Sequence, residues 1–236
     1  MKNIAQGIKS TIRRSAEKCP TEQAEFVQKY LGTKRKFICL KSADRDKILA
    51  QKTHELKTLE IKSVLRILDE LFSTDTFEDF NFAGKLLTRL PNVREQLKMT
   101  QIKKWVSASN GWAECDCICQ SLFDEKEVLA RWKEFKEAII KFSKGKNIQL
   151  RRASLVLQAK PNRHSSSPQL RRLAYDTIER LKSEQDVRIT KAISWLLREL
   201  SRGNKEEVKV YLQKNKSSLP KIAYRETMKK IVIGKK

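Results

Sequence analysis

Apolar residues return every three to four positions through most of the chain. Phe26, Tyr30 and Leu31 form one run; Leu59, Val64, Leu65, Leu68 and Leu71 a second; Phe82, Leu86, Leu87 and Leu90 a third; Val128, Leu129, Trp132, Phe135 and Ile139 a fourth. Such spacing lays each run along one stripe of an amphipathic helix. Polar breaks between the runs carry start and stop signals, among them Ser42, Thr74, Thr76, Asn147, Pro168, Gly203-Asn204 and Ser218. The pattern predicts about twelve helices, near 2–16, 22–31, 43–54, 58–72, 76–90, 93–107, 110–122, 125–143, 147–160, 168–183, 186–202 and 204–216, with a terminal one near 219–232. Consecutive helices joined by short polar loops pair antiparallel, and a run of such pairs stacks into an α-solenoid. Each stripe is one-sided and no helix is apolar all round, which favours a solenoid over a closed bundle. The loop-like stretch Asn162-Arg-His-Ser-Ser-Ser-Pro168 joins two helices of the same kind, so residues 1–236 read as a single all-α domain.

Composition supports this picture and adds a charge pattern. Only seven Gly and five Pro punctuate 236 residues, too few for a many-stranded fold. The net charge is +23 and unevenly placed. Residues 131–236 hold 28 Lys and Arg against 10 Asp and Glu, whereas residues 51–130 hold 11 against 13. Strongly basic flanks around a near-neutral middle suit a protein that holds a polyanion against a differently charged centre.

The first residues contain no apolar run of signal-peptide length, and no later segment approaches the ~20 apolar residues that span a bilayer. The chain therefore reads as cytoplasmic, with no membrane partner. Its five cysteines fit small, reduced, buried thiols. Cys115, Cys117 and Cys119 alternate along one predicted helix, where side chains two apart point about 200° apart. They cannot close a tetrahedral metal site, and His54 and His164 lie far off in sequence, so no metal is expected.

Three places could carry chemistry. Trp112 and Asp116 are four apart, which puts an indole and a carboxylate on one helical face. Spacing alone leaves two readings open, a core Trp beside a solvated Asp or a functional pair. Arg151 and Arg152 sit in a basic helix, where an Arg is either a phosphate contact or a solvated charge. Lys191, Trp195 and Arg198 fall at i, i+4 and i+7, an aromatic between two cations.

Together with Phe26-Val-Gln-Lys-Tyr30, Phe37-Ile-Cys-Leu-Lys-Ser-Ala-Asp-Arg45 and Tyr224-Arg-Glu226, the stretches Gly111-Trp-Ala-Glu-Cys-Asp116, Asn147-Ile-Gln-Leu-Arg-Arg-Ala153 and Ile189 to Glu199 resemble, in order, the DNA alkylation-repair glycosylases of the AlkD type. The resemblance implies a C-shaped solenoid of HEAT-like repeats whose basic concave face holds duplex DNA containing alkylated purines. It implies that Asp116 is the catalytic carboxylate, that Trp112 and Trp195 frame the damaged nucleotide, that Arg152 supports the acid and nearby backbone, and that Tyr30 lines the same cleft. Arg151, Lys191 and Arg198 are then expected as further DNA contacts. Lys41-Ser42-Ala43 replaces a Gln-Thr-Pro-like turn of the family and adds a candidate phosphate contact at Lys41; Ala113 stands where an acidic residue can follow the Trp.

The implied reaction needs no metal or cofactor. A purine alkylated at N3 or N7 is already cationic, so its glycosidic bond is weak, and a fixed carboxylate need only stabilise the sugar cation and place a water. Electrostatic help of this kind is worth roughly 3–4 kcal/mol, and each Trp face about 0.5–2 kcal/mol toward a cation. No Lys has the context of a Schiff-base nucleophile, so a monofunctional glycosylase is expected; the resemblance further implies action without flipping the base. The alternative is a non-catalytic helical-repeat protein that binds branched or damaged nucleic acid through its Lys/Arg face, and a lesser one is a scaffold for acidic proteins. A monomer is the default for an open solenoid.

Overall fold

A computed structural model describes residues 2–234, the side chains of residues 2 and 3 apart. Among the described residues the chain is all-α, with no strand beyond an isolated bridge between Lys36 and Thr76. Its helices are α1 (Lys2–Ser15), α2 (Thr21–Leu31), α3 (Ser42–Lys57), α4 (Ile61–Phe72), α5 (Phe77–Arg89), α6 (Pro91–Gln96), α7 (Met99–Ser107), α8 (Trp112–Gln120), α9 (Glu125–Ala130), α10 (Trp132–Ser143), α11 (Ile148–Val156), α12 (Ala159–Asn162), α13 (Pro168–Leu181), α14 (Val187–Leu200), α15 (Lys205–Lys214) and α16 (Lys221–Ile233).

Three helices predicted as continuous are broken. The stretch 93–107 divides where Leu97 and Lys98 take extended backbone. The stretch 125–143 divides at Arg131, whose φ and ψ of −125° and 36° are not helical and whose guanidinium pairs with Glu134 at 2.6 Å. The stretch 147–160 ends at Val156, and Pro161 follows at the distance where its ring would meet the carbonyl of Leu157 in a continuous helix. Starts are better marked. Asp124 and Glu127 form a reciprocal capping box, and Asn147 and Asp186 cap α11 and α14 with their side chains.

The chain packs as two compact units, one ending at Leu122 and the other beginning at Phe123. In the first, α5 packs against α1, α3, α4, α6 and α8. Phe80, Phe82, Ala83, Leu86 and Leu87 of α5 are fully buried, as are Leu68 and Leu71 of α4. The Phe72 ring stands 4.5 Å from that of Trp105 and 5.0 Å from that of Phe80. Each of these Phe and Leu side chains contributes about 1.5–3 kcal/mol by leaving water. In the second unit α11 packs against both α10 and α14, and α14 in turn against α16, with α13 touching α10, α11 and α14.

The cysteines depart from expectation. Cys19 and Cys39 form a disulfide with Cα atoms 5.3 Å apart, so the five are not all free thiols. Helix α2 runs out and the chain returns, bringing together two cysteines 20 positions apart, a meeting that linear spacing does not announce. Cys115 and Cys119 are buried and outside the disulfide, while Cys117 turns toward α5. Burial pushes the Cys117 thiol up to about 12, which keeps it protonated at neutral pH. No helix among the described residues is long and apolar enough to cross a membrane.

Candidate active site

Helix α8 carries Trp112 at its first position and Asp116 one turn on; both are half-buried. The indole N–H of Trp112 donates to the Tyr30 carbonyl at 2.9 Å, and the two rings meet edge to face with centroids 5.8 Å apart. This junction is possible because backbones touch there: a Cβ on Gly111 would lie 2.1 Å from the Gly32 carbonyl oxygen and 2.7 Å from that of Leu31. Gly32 itself ends α2 in the left-handed region, φ 66°, the usual glycine stop.

Helix α2 is not the core element that its apolar run suggests. None of its residues is buried, and Phe26 and Tyr30 are 71% and 66% exposed. The two rings therefore lie on an outward face, and Tyr30 reaches the α8 terminus from the end of a helix held mainly by its C-terminal flank.

A buried carboxylate that sequence reasoning passed over anchors this flank. Glu114 is fully buried and accepts from the Thr33 hydroxyl and, at 2.9 Å, from the Asn110 amide. Arg35 is a further neighbour, with Nε 3.1 Å away. The Arg35 guanidinium also donates to the carbonyls of Thr74 and, at 3.2 Å, Ala108, and lies 4.6 Å over the Phe80 ring. The only trace of this in sequence is a Glu in the first turn of α8, a position from which it can reach back to an amide preceding the helix.

The remaining expected residues lie in the second unit, apart from Lys41. Arg152 is buried and donates to the carbonyl of Arg188, in the first turn of α14. Asp186 caps that turn, and its hydrogen bonds from Arg188 hold its carboxyl below the usual range. Trp195, two turns on and half-buried, donates its indole N–H to Glu199 at 3.3 Å. Glu199 is itself buried and gathers Arg163 at 2.7 Å and Arg202 at 3.0 Å. Both indoles are thus pinned by their N–H edges, and the i, i+4 step from Trp195 to Glu199 was a readable sign of the second pin.

The cations differ in what they hold. Arg151 is taken up by Glu184 at 2.7 Å and by the carbonyls of Gly145 and Lys146. Arg198 donates to the Ser194 carbonyl at 3.2 Å and lies 3.6 Å from Glu226, which also accepts from the Ser194 hydroxyl. Lys41 pairs with Glu17 at 2.5 Å, and the hydrogen bond and charge of Glu17 raise its ammonium above the ordinary value. Lys191 is exposed on α14.

An all-helical chain of net +23 with indole and phenol rings at its surface has the electrostatic footprint of helical proteins that meet nucleic acid. More narrowly, it is a member of the DNA alkylation repair enzyme family, whose model matches residues 14–231. Its place is accordingly in DNA repair, as a repair enzyme. Among solved structures it is similar to the predicted DNA alkylation repair enzyme from Enterococcus faecalis, with 18% identity and a TM-score of 0.75 over 92% of this chain and 99% of that one. It is also similar to smu.31 from Streptococcus mutans UA159, 17% identical, with a TM-score of 0.58 over 96% and 98% of the two chains. No curated protein matches.

Proposed function

We propose that the chain is a monofunctional DNA glycosylase that removes positively charged N3- and N7-alkylated purines from duplex DNA by hydrolysis. In this reading the bond between C1′ and N9 of the base breaks, the base leaves as a neutral alkylpurine with the electron pair, and water supplies the hydroxyl to C1′ and releases a proton. Asp116 stabilises the positive charge that grows on the sugar and orients that water. Its contribution is roughly 3–4 kcal/mol, the scale of a single preorganised electrostatic group. Trp112 and Tyr30 form an aromatic wall beside it, and Trp195 offers a second indole to the same duplex. Arg152, Arg151, Arg198, Lys191 and Lys41 are assigned to the DNA backbone or to the framework that meets it. The lesion is proposed to be gripped without base flipping by a monomer.

The observation that carries the reading is the indole of Trp112, locked to the Tyr30 carbonyl at 2.9 Å and edge-on to the Tyr30 ring, one turn from a half-buried Asp116 in a chain of the alkylation repair family. The test is release of 7-methylguanine and 3-methyladenine from alkylated duplex by wild type and by Asp116→Asn. Release by wild type and its loss in the variant support the reading; equal release by both removes Asp116 from its role. Binding to branched or damaged duplex with no release by either protein would favour a non-catalytic binder.

A further inference from the structure

We infer that Glu114 is a positioning residue, which with Arg35 and Thr33 forms a buried latch that sets the site carried by Tyr30, Trp112 and Asp116. This rests on the glycosylase reading for its consequence in catalysis, though not for its consequence in structure.

The latch joins two stretches far apart in sequence. Thr33 and Arg35 lie just after α2, the helix that ends with Tyr30 and Leu31, and Glu114 lies 81 positions beyond Thr33, between Trp112 and Asp116. The Glu114 carboxylate takes the Thr33 hydroxyl on one oxygen and the Asn110 amide on the other, with Arg35 Nε at 3.1 Å. Thr33 Oγ1 in turn accepts the Arg35 amide at 3.0 Å, and Gln28 of α2 donates to the Arg35 carbonyl at 2.6 Å. Arg35 spreads the tie to the stretch before α5 through the Thr74 carbonyl and to the end of α7 through that of Ala108. Both charges lie out of water, Glu114 at 0% and Arg35 at 9% exposure.

This pair has a role beyond holding the fold. A buried ion pair is a poor source of stability, since well-packed apolar residues of the same volume commonly do as well or better. Helix α2 also buries none of its own side chains, so its C-terminal end takes its place from this latch and from the Trp112–Tyr30 bond. Positions two apart on a helix point about 200° apart. Glu114 therefore holds α8 from the side opposite Trp112 and Asp116, and pinning it fixes the rotation of the helix and with it where the indole and the carboxylate stand. Being fully buried, Glu114 does not touch DNA.

The experiment uses the full chain as wild type, Glu114→Gln, Thr33→Val and Asp116→Asn. Three quantities are read: the single-turnover rate of 3-methyladenine release, the Kd for undamaged duplex, and the ¹H–¹⁵N resonance of the Trp112 indole. Glu114→Gln removes the charge and one acceptor while keeping the shape. We expect its release rate to fall about 10- to 100-fold, the scale of a sub-ångström to 1 Å misplacement, with Kd for undamaged duplex changed less than about twofold. The Trp112 indole resonance is expected to shift or broaden while that of Trp195 stays in place. Thr33→Val, which deletes one hydroxyl, is expected to move the same quantities in the same direction by less, and it decides the matter if Glu114→Gln does not fold. A folded Glu114→Gln with the wild-type release rate, or with an unmoved Trp112 resonance, overturns the inference. If Asp116→Asn releases base as fast as wild type, the glycosylase assignment of Asp116 fails instead, and the indole resonance alone still judges the latch.

Discussion

Replacing Gly111 by alanine tests the backbone contact on which the α2–α8 junction depends. The backbone at 111 is extended, φ −132° and ψ −179°, and any L-residue can adopt it, so the substitution carries no conformational strain. Its cost is steric. The new Cβ would lie 2.1 Å from the Gly32 oxygen and 2.4 Å from the Gly32 carbonyl carbon, both backbone atoms that no side-chain rotation can move. Restoring a contact near 3.5 Å to that oxygen requires the two segments to part by about 1.4 Å. The Trp112 indole, now 2.9 Å from the Tyr30 carbonyl, would then lie beyond about 4 Å from it, past the limit of a hydrogen bond. Overpacking of this kind costs about 1–3 kcal/mol, and the lost bond about 1 kcal/mol more, for a total of roughly 2–4 kcal/mol. Urea denaturation measures that loss, and the Trp112 indole resonance reports the opened junction. Base release should slow by about 100-fold if the aromatic wall serves the reaction. Wild-type stability together with an unchanged indole resonance would refute the argument.

Further outcomes follow from the same geometry. Reducing the Cys19–Cys39 disulfide, or replacing Cys19 by Ser, should lower unfolding free energy by about 3 kcal/mol, the loop-closure value for a 20-residue separation, with amide exchange rising first in α2. Gly84→Ala would put a Cβ 2.3 Å from Cys117 Sγ and should destabilise by about 1–3 kcal/mol. In a Cys117→Ala background most of that cost should vanish, and additive losses in a double-mutant cycle would contradict the close α5–α8 contact. Burial raises the Glu78 carboxyl above its ordinary 4.5, and its Oε1 accepts the Ile38 amide at 3.0 Å. A raised carboxyl favours the folded state only while protonated, so its contribution is present below about pH 4.5 and declines as pH rises through the higher folded value. Glu78→Gln keeps the acceptor without the charge, so its Tm should gain on wild type as pH is raised from about 4 to 7; a pH-independent difference would speak against it.

The helices were legible because period is a local property: Val64, Leu68 and Leu71 are buried where the 3.6-residue pattern puts them. The breaks at 97–98 and at Arg131 were not, since they are decided by backbone geometry that leaves no mark in apolar spacing. Pro161 was a visible warning of the third, because its ring acts on the residue four before it. Phe26 and Tyr30 show the opposite failure. Their i, i+4 spacing is that of a core stripe, yet both rings stay largely exposed, because burial depends on what packs against a helix, and the edge-on Trp112 ring leaves most of Tyr30 uncovered. That Trp112 and Asp116 share α8 one turn apart was readable from their spacing. Glu114 was hidden because its partners Thr33 and Arg35 are brought to it only by tertiary folding.

The central claim is that the Asp116 carboxylate favours a positively charged sugar in the position left by the base. Binding of two duplexes tests it most directly, one carrying a cationic azaribose at the abasic position and one a neutral tetrahydrofuran, each with wild type and with Asp116→Asn. Wild type is expected to prefer the cationic duplex by about 100-fold or more, as 3–4 kcal/mol of electrostatic stabilisation requires, and the variant to bind the two nearly alike. An undiminished preference in Asp116→Asn would contradict it.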